Sequence, residues 1–240
     1  MHFPLVVTAM TAMLHKDFLL HGATASTGGS AVLLIVNGPI RRELGMTTQF
    51  NVLGNSDRAS ATVGRSIRLA LMNLLNVRPG EIDRSTLGHP GKFSYCVAED
   101  EENSCWDSLA SERLGDPNVS AVTAMAAMAP RQVMNEWTTD PREICETFSA
   151  EIRSNQLNYS IWPGNYVLII PPQLRAHFEK AKWTKADIKE CVFERARVLR
   201  GEWANVGKGS VVEDRANREY PALNEPDDLM TVSYTHLRAH

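Results

Sequence analysis

Gly54-Asn55-Ser56-Asp57-Arg58-Ala59-Ser60-Ala61-Thr62-Val63-Gly64-Arg65 is a polar turn that runs straight into an apolar periodicity. From Ala59 onward Val63, Ile67, Ala70, Leu71, Leu74 and Leu75 recur three and four residues apart, the spacing of a helix with one buried face. Asn55, Ser56 and Asp57 each carry a short acceptor able to cap the free amides of its first turn, and Gly54 permits the sharp entry. Arg58, Thr62 and Arg65 follow at intervals of four and three and share a second stripe. A helix N-terminus attracts anions through its unpaired amides and its dipole, and two guanidinium groups would add bidentate contacts to a carboxylate or phosphate. The stretch therefore reads as the anion-holding corner of a pocket, with Asn55, Ser56, Arg58, Thr62 and Arg65 as contacts. It also suits an ordinary capped helix whose arginines cover a solvent face. No Gly-Lys-Ser/Thr follows, so it is not a P-loop, and it lacks the three-glycine dinucleotide fingerprint.

Outward from this helix the chain has an α/β rhythm. Pro4 to Leu14 reads as an amphipathic helix, and His21 to Gly29 as a small-residue loop leading into Ala31 to Val36, an unbroken aliphatic run suited to a parallel strand buried on both faces. Asn37-Gly38-Pro39 ends that strand, and Pro39 fits the first turn of a short helix through Leu44. After the central helix, Ser85 to Lys92 is a loop and Phe93 to Ala98 an alternating strand running into Glu99-Asp100-Glu101-Glu102, four carboxylates of the kind usually found solvated. Val119 to Ala127 suits a strand or a buried helix equally. Asp140-Pro141 starts a helix through Arg153, Tyr166 to Ile170 is a strand, and helices follow at Gln173 to Ala181 and Lys185 to Val198, before a polar segment from Gly201 to Pro226. The expected fold class is α/β, a layered, mostly parallel sheet with helices on both faces, incomplete at both ends. It forms one domain over 1–232, or two subdomains of about 1–130 and 131–232.

Composition narrows the partners. Among 240 residues, 25 basic against 28 acidic leave no footprint of a nucleic-acid binder. The longest apolar run is far short of a membrane span, and the first 20 residues carry no signal-peptide pattern, so a soluble cytoplasmic protein is expected. Cys96, Cys105, Cys145 and Cys191 are irregularly spaced and form no zinc ladder, which suits reduced, mostly buried thiols. No cofactor or metal motif is present.

Several residues have the chemistry of a site. His89 and Lys92 flank a Pro-Gly turn just before a strand; His89 suits a general acid or base, and Lys92 an anion contact or, desolvated, a nucleophile. Glu99 at the end of that strand suits a general base, and Cys96 a nucleophile if nearby arginines depress its pKa. His21 in its small-residue loop and Asn37 at a strand end are substrate contacts in the same reading. Each has a plain alternative: a surface turn for His89 and Lys92, inert core for Cys96, turn formation for His21 and Asn37.

His21-Gly22-Ala23-Thr24-Ala25, Val36-Asn37-Gly38-Pro39-Ile40, Gly54 to Arg65, Leu87-Gly88-His89-Pro90-Gly91-Lys92 and Ala98-Glu99-Asp100-Glu101-Glu102 together give the chain, over about His21 to Met230, a resemblance to a family of uncharacterised bacterial proteins. That family is loosely similar to selenoprotein B-type proteins of the glycine and proline reductase systems. The resemblance implies a redox relationship but supplies no catalytic residues, and the cysteine or selenocysteine motif of the reductase subunits is absent. Similar proteins extend further at both ends, and the segment from Val232 to His240 resembles a sequencing-adapter read-through. Residues 233–240 are therefore expected to be a non-native tail on a metagenomic fragment. The leading functional expectation is an enzyme acting on a small anionic metabolite held at Gly54 to Arg65, its reaction unspecified. The alternatives are a cysteine-using redox subunit and a non-catalytic binding or partner subunit, with a homo-oligomer or partner chain left open.

Overall fold

The computed structural model describes residues 2–211 and 217–234. Two compact units divide the chain, one of Met1–Arg131 with Ser233–His240 and one of Gln132–Val232.

In the first unit α1 (Phe3–Met13) and α2 (Leu20–Thr24) precede β1 (Ala31–Asn37), and α3 (Ile40–Glu43), α4 (Arg58–Leu74), β2 (Cys96–Ala98), α5 (Leu109–Leu114) and β3 (Ala121–Ala127) follow. β1 is the middle strand of three. It runs parallel to β2, with Leu34 opposite Cys96, and antiparallel to β3 along its length, from Ala31 opposite Ala127 to Asn37 opposite Ala121. Every residue of β1 is buried, which explains its unbroken aliphatic run: a strand paired on both edges and covered on both faces has no solvent side for a polar residue. The core joins Leu5, Ala9 and Met13 of α1, alternate residues Val32, Leu34 and Val36 of β1, Cys96 and Ala98 of β2, and Ala59, Val63, Ile67 and Leu71 of α4. The three-and-four spacing of the α4 residues places them on the one buried face expected of it.

The layered, mostly parallel sheet expected from the sequence is not what forms. The protein is mixed α/β, with sheets of two or three strands, and β3 returns antiparallel beside β1. Aliphatic runs report that a strand is buried; they carry no information about the direction of its neighbour. Local differences have local causes. The small-residue loop at His21 begins as the short helix α2. The strand expected from Phe93 is confined to three residues, because Pro90–Lys92 forms a 3-10 turn and Phe93 is itself helical at φ −79°, ψ −51°.

The second unit holds α6 (Pro141–Asn158), β4 (Tyr166–Ile170), α7 (Pro172–Lys180), α8 (Lys185–Arg195), β5 (Arg197–Leu199), β6 (Glu219–Pro221) and all but the last residue of β7 (Leu229–Ser233). Asp140 caps α6 by accepting from Arg142 N, with Pro141 in the first turn where its missing N–H costs nothing. α6 buries Ile144, Cys145, Phe148 and Ile152, and α8 buries Ile188, Cys191 and Val192. Phe178 of α7 stacks at tilted angles between Phe148 and Trp183. The helix expected through Val198 stops at Arg195, since Arg197 to Leu199 instead pair antiparallel with Glu219–Pro221, a tertiary gain that outweighs local helix propensity. β4 pairs with β7. Ser233, expected in the non-native tail, closes β7; Thr235 to His240 lie outside the described residues, as do 212–216 within the polar segment. Among the described residues no helix is long and apolar enough to cross a membrane.

Gly64 marks the closest approach of α4 to the β2 segment: a Cβ there would lie 2.4 Å from Ser94 Oγ and 2.7 Å from the backbone nitrogen of Tyr95. Mid-helix Gly→Ala gains about 1 kcal/mol from propensity, but a clash with backbone costs roughly 1–3 kcal/mol, so the packing effect is expected to win. Gly64→Ala should therefore lower the urea unfolding midpoint; a raised midpoint would show that α4 has room to move.

Candidate functional site

The amino end of α4 is already occupied by an anion of the chain itself. Asp57 Oδ1 accepts from Ser60 N at 2.8 Å, and its Oδ2 accepts from Ser60 Oγ at 2.7 Å and Thr47 N at 3.1 Å. A carboxylate here satisfies the first-turn amides and the dipole, the two features an external anion would use. Asn55, left-handed at φ 53°, donates to Ser94 O at 3.3 Å, and Ser56 donates to Phe50 O. Arg58 and Thr62 are exposed, while Arg65 lies over the Phe93 ring, 4.3 Å from its centroid. These residues form a capped, braced turn, and none of them lines either cavity described below.

Lys92 and His89 are drawn into the packing of the Ser85 to Lys92 loop. Lys92 Nζ reaches both oxygens of buried Asp83 at 3.0 Å, and Arg68 Nη2 of α4 meets the same carboxylate at 3.0 Å. Burial pushes the Asp83 carboxyl up, but hydrogen bonds from Ser85 and Lys92, with the charge of Lys92, outweigh it and hold the pKa down at about 2. The loop thus closes over α4 through one carboxylate shared by two cations, beside a cavity of only about 10 Å³ lined in part by Gly64, Arg68, Gly91 and Lys92. His89 Nδ1 accepts from Gly91 N at 3.1 Å, which leaves the proton on Nε2. Burial depresses its pKa and the charge of Lys92 adds to this, against an opposing effect of the Ala127 backbone, so His89 is neutral at pH 7.

The acidic run is not a solvated loop. Glu99 and Asp100 are buried at the carboxyl ends of β1 and β2. Glu99 Oε2 accepts from Asn37 Nδ2 at 2.7 Å and Leu109 N at 2.8 Å, and Glu101 Oε1 accepts from Asn37 Nδ2 at 2.9 Å and Gly38 N at 2.8 Å. Arg41, which the sequence did not single out, is buried among them, with Nη2 2.7 Å from Glu101 Oε2 and 2.9 Å from Glu102 Oε1. Burial raises the Glu102 carboxyl, yet hydrogen bonding and charge from Arg41 bring its pKa below the usual range. Cys96 is buried, and burial first, then the charge of Asp57, drives its thiol far up. His21 is exposed on α2. Along the chain His89 and Lys92 precede β2, Cys96 is inside it and Glu99 follows it. Among the described residues no group of three or more His, Cys, Asp or Glu is placed to hold a metal ion.

An open site lies in the second unit. Ala150, Arg153, Ser154, Leu157 and Asn158 fall on one face of α6, and with Arg197, Val198, Leu199, Glu202 and Glu219 they line a cleft of about 510 Å³. Leu199 stands opposite Glu219 across the β5–β6 ribbon, and Arg197, two residues back, shares that face. Arg153 is braced by the Arg195 carbonyl at 2.9 Å and Glu146 at 2.7 Å, and Glu202 accepts from Leu199 N at 2.9 Å. Arg197 is held by its Nε on Glu194 O and lies over Phe193, while its terminal nitrogens, like the Glu219 carboxylate, take no partner among the described residues. The sequence carried half of this signal: the polar and small positions of α6 are spaced three and four apart. The other half was hidden because Arg197 was read as helical.

No family model, no curated protein and no solved structure matches the chain, so the site is read from its own geometry.

Because Asp83 has a folded pKa of about 2 against an ordinary value of 3.8, it contributes stability fully above about pH 4, and that contribution is lost as pH falls through 2. Asp83→Asn should remove this acid-limb dependence from denaturation curves. By leaving Lys92 and Arg68 uncompensated, it should also cost about 3 kcal/mol at pH 7. An unchanged acid limb would contradict the assignment.

Proposed function

We propose that the protein binds a small zwitterionic metabolite, with an anionic group and an ammonium group on one short body, in the cleft between α6 and the β5–β6 ribbon. The observation that carries this reading is the pairing of open valences on one ribbon face: the Arg197 guanidinium and the Glu219 carboxylate, close in register yet bonded neither to each other nor to any other described residue. A guanidinium with free terminal donors suits a carboxylate bidentately, and a free carboxylate suits an ammonium. Between them Ala150, Leu157, Val198 and Leu199 offer apolar surface for an aliphatic side chain, and Ser154 and Asn158 offer hydrogen bonds. The volume is in the range of small-molecule sites. An amino acid or dipeptide fits these requirements best.

The reading is one of binding. Arg153 is braced and Glu202 is tied to the Leu199 amide, which supports a rigid, preorganised cradle. It replaces the start of α4, where Asp57 already supplies the negative charge, as the place for an anion.

Calorimetric titration with a panel of amino acids and dipeptides should find at least one ligand. Each charge-assisted contact is worth roughly 1.5–3 kcal/mol, so Arg197→Ala and Glu219→Gln should each weaken binding about tenfold or more. Undiminished binding in both variants, or no binding across the panel, would contradict the reading.

A further inference from the structure

The cleft between α6 and the β5–β6 ribbon carries a charge imbalance that a plain zwitterion does not remove. Its charged lining residues, among those described, are Arg153, Arg197, Glu202 and Glu219. Arg153 already has a counter-ion in Glu146, at 2.7 Å. Arg195 meets the same Glu146 at 3.8 Å and Glu194 at 3.6 Å, so these two guanidinium groups and two carboxylates balance among themselves. What is left is one cation, Arg197, against two anions. Neither anion meets a cation among the described residues: Glu219 takes no partner there, and Glu202 is held only through Oε2, which accepts from Leu199 N at 2.9 Å. A neutral amide fixes where a carboxylate sits but leaves its charge in place. The two acids also address one stretch of backbone, since Leu199 stands opposite Glu219 across the ribbon and gives its own amide to Glu202. Arg197 lies two residues back, roughly 7 Å along the strand.

Resting on the zwitterion reading and deepening it, we infer that the cleft selects ligands with a second cation: basic α-amino acids, or dipeptides that carry one. The α-carboxylate meets Arg197, the ammonium meets Glu219, and the cationic side chain meets Glu202 with its methylene stem along Leu157 and Leu199. The occupied cleft is then neutral. A ligand with an aliphatic side chain leaves Glu202 uncompensated, and one with an acidic side chain adds a further unmatched anion. Glu202 and Glu219 are both exposed, so water and salt screen these contacts and the preference is severalfold in size.

The test is calorimetric titration of the full chain at low ionic strength with two matched pairs, L-lysine against L-norleucine and glycyl-L-lysine against glycyl-L-norleucine. Within each pair the compounds differ by the side-chain ammonium. In at least one pair the lysine member should bind about fivefold more tightly, the upper worth of an exposed ion pair, and the advantage should shrink as salt is raised. Glu202→Gln, which keeps a side-chain oxygen for the Leu199 amide, should bring the ratio close to one. Should that variant fail to fold, the wild-type ratio and its salt dependence decide. A wild-type ratio of about two or less in both pairs, or a lysine preference that survives Glu202→Gln, overturns this inference alone, provided Arg197→Ala still weakens the ligands that bind. Binding by none of the four compounds overturns both this inference and the zwitterion reading beneath it.

Discussion

A buried guanidinium organises the first unit. Arg41 donates from Nε to Gly38 O at 3.0 Å, from Nη1 to Glu99 O at 2.6 Å and Glu102 Oε2 at 3.2 Å, and from Nη2 to Glu101 Oε2 and Glu102 Oε1. A guanidinium has five N–H donors, and these contacts use all of them. Removing such a group from water is tolerable only when its donors and charge are both matched, and a partial match would leave a buried charge costing several kcal/mol. The match fixes where the chain must run. β1 and β2 end at the same level, the acidic segment folds inward, and Gly38 takes φ +81° in a space where a Cβ would lie 2.1 Å from Val119 O. The chemistry of Glu99 and Asn37 is thereby committed to holding the strand ends together.

This constraint explains how much of the fold could be read from the sequence. The face of α4, the aliphatic run of β1 and the capped start of α6 are properties of short windows, and spacing reported them. The buried state of Glu99 was not legible, because its carboxylate is held by groups remote in the chain, Asn37 Nδ2 and the Ser233 amide, while Arg41 pairs with Glu101 and Glu102. A run of carboxylates reads as solvated until its counter-ion is known. The direction of β3 and the extended form of Arg197 to Leu199 were hidden for the same reason: each is decided by a strand remote in sequence, Ala31–Asn37 for one and Glu219–Pro221 for the other.

The site residues follow the same pattern. The sequence concentrates polar groups at Gly54 to Arg65, at Ser85 to Lys92 and at Glu99 to Glu102, and in each place a charged group of the chain pairs with several of them, Asp57, Asp83 and Arg41 in turn. A polar residue already paired to a neighbour has little left to offer a ligand. The charged groups with open valences that line a sizeable cleft are in the second unit, Arg197 and Glu219 on two three-residue strands beside the ordinary-looking helix α6. Residue type alone pointed to the first unit. The pairing of those groups in the fold points to the second.

The claim that ligand chemistry resides where valences are open is tested most directly by amide hydrogen exchange with and without a bound zwitterion. The account predicts slowed exchange in Ala150 to Asn158 of α6 and in the Arg197–Leu199 and Glu219–Pro221 strands, with Gly54 to Arg65 and Glu99 to Glu102 unchanged. Protection concentrated at the start of α4 or in the acidic segment, with the α6 face unaffected, would contradict it.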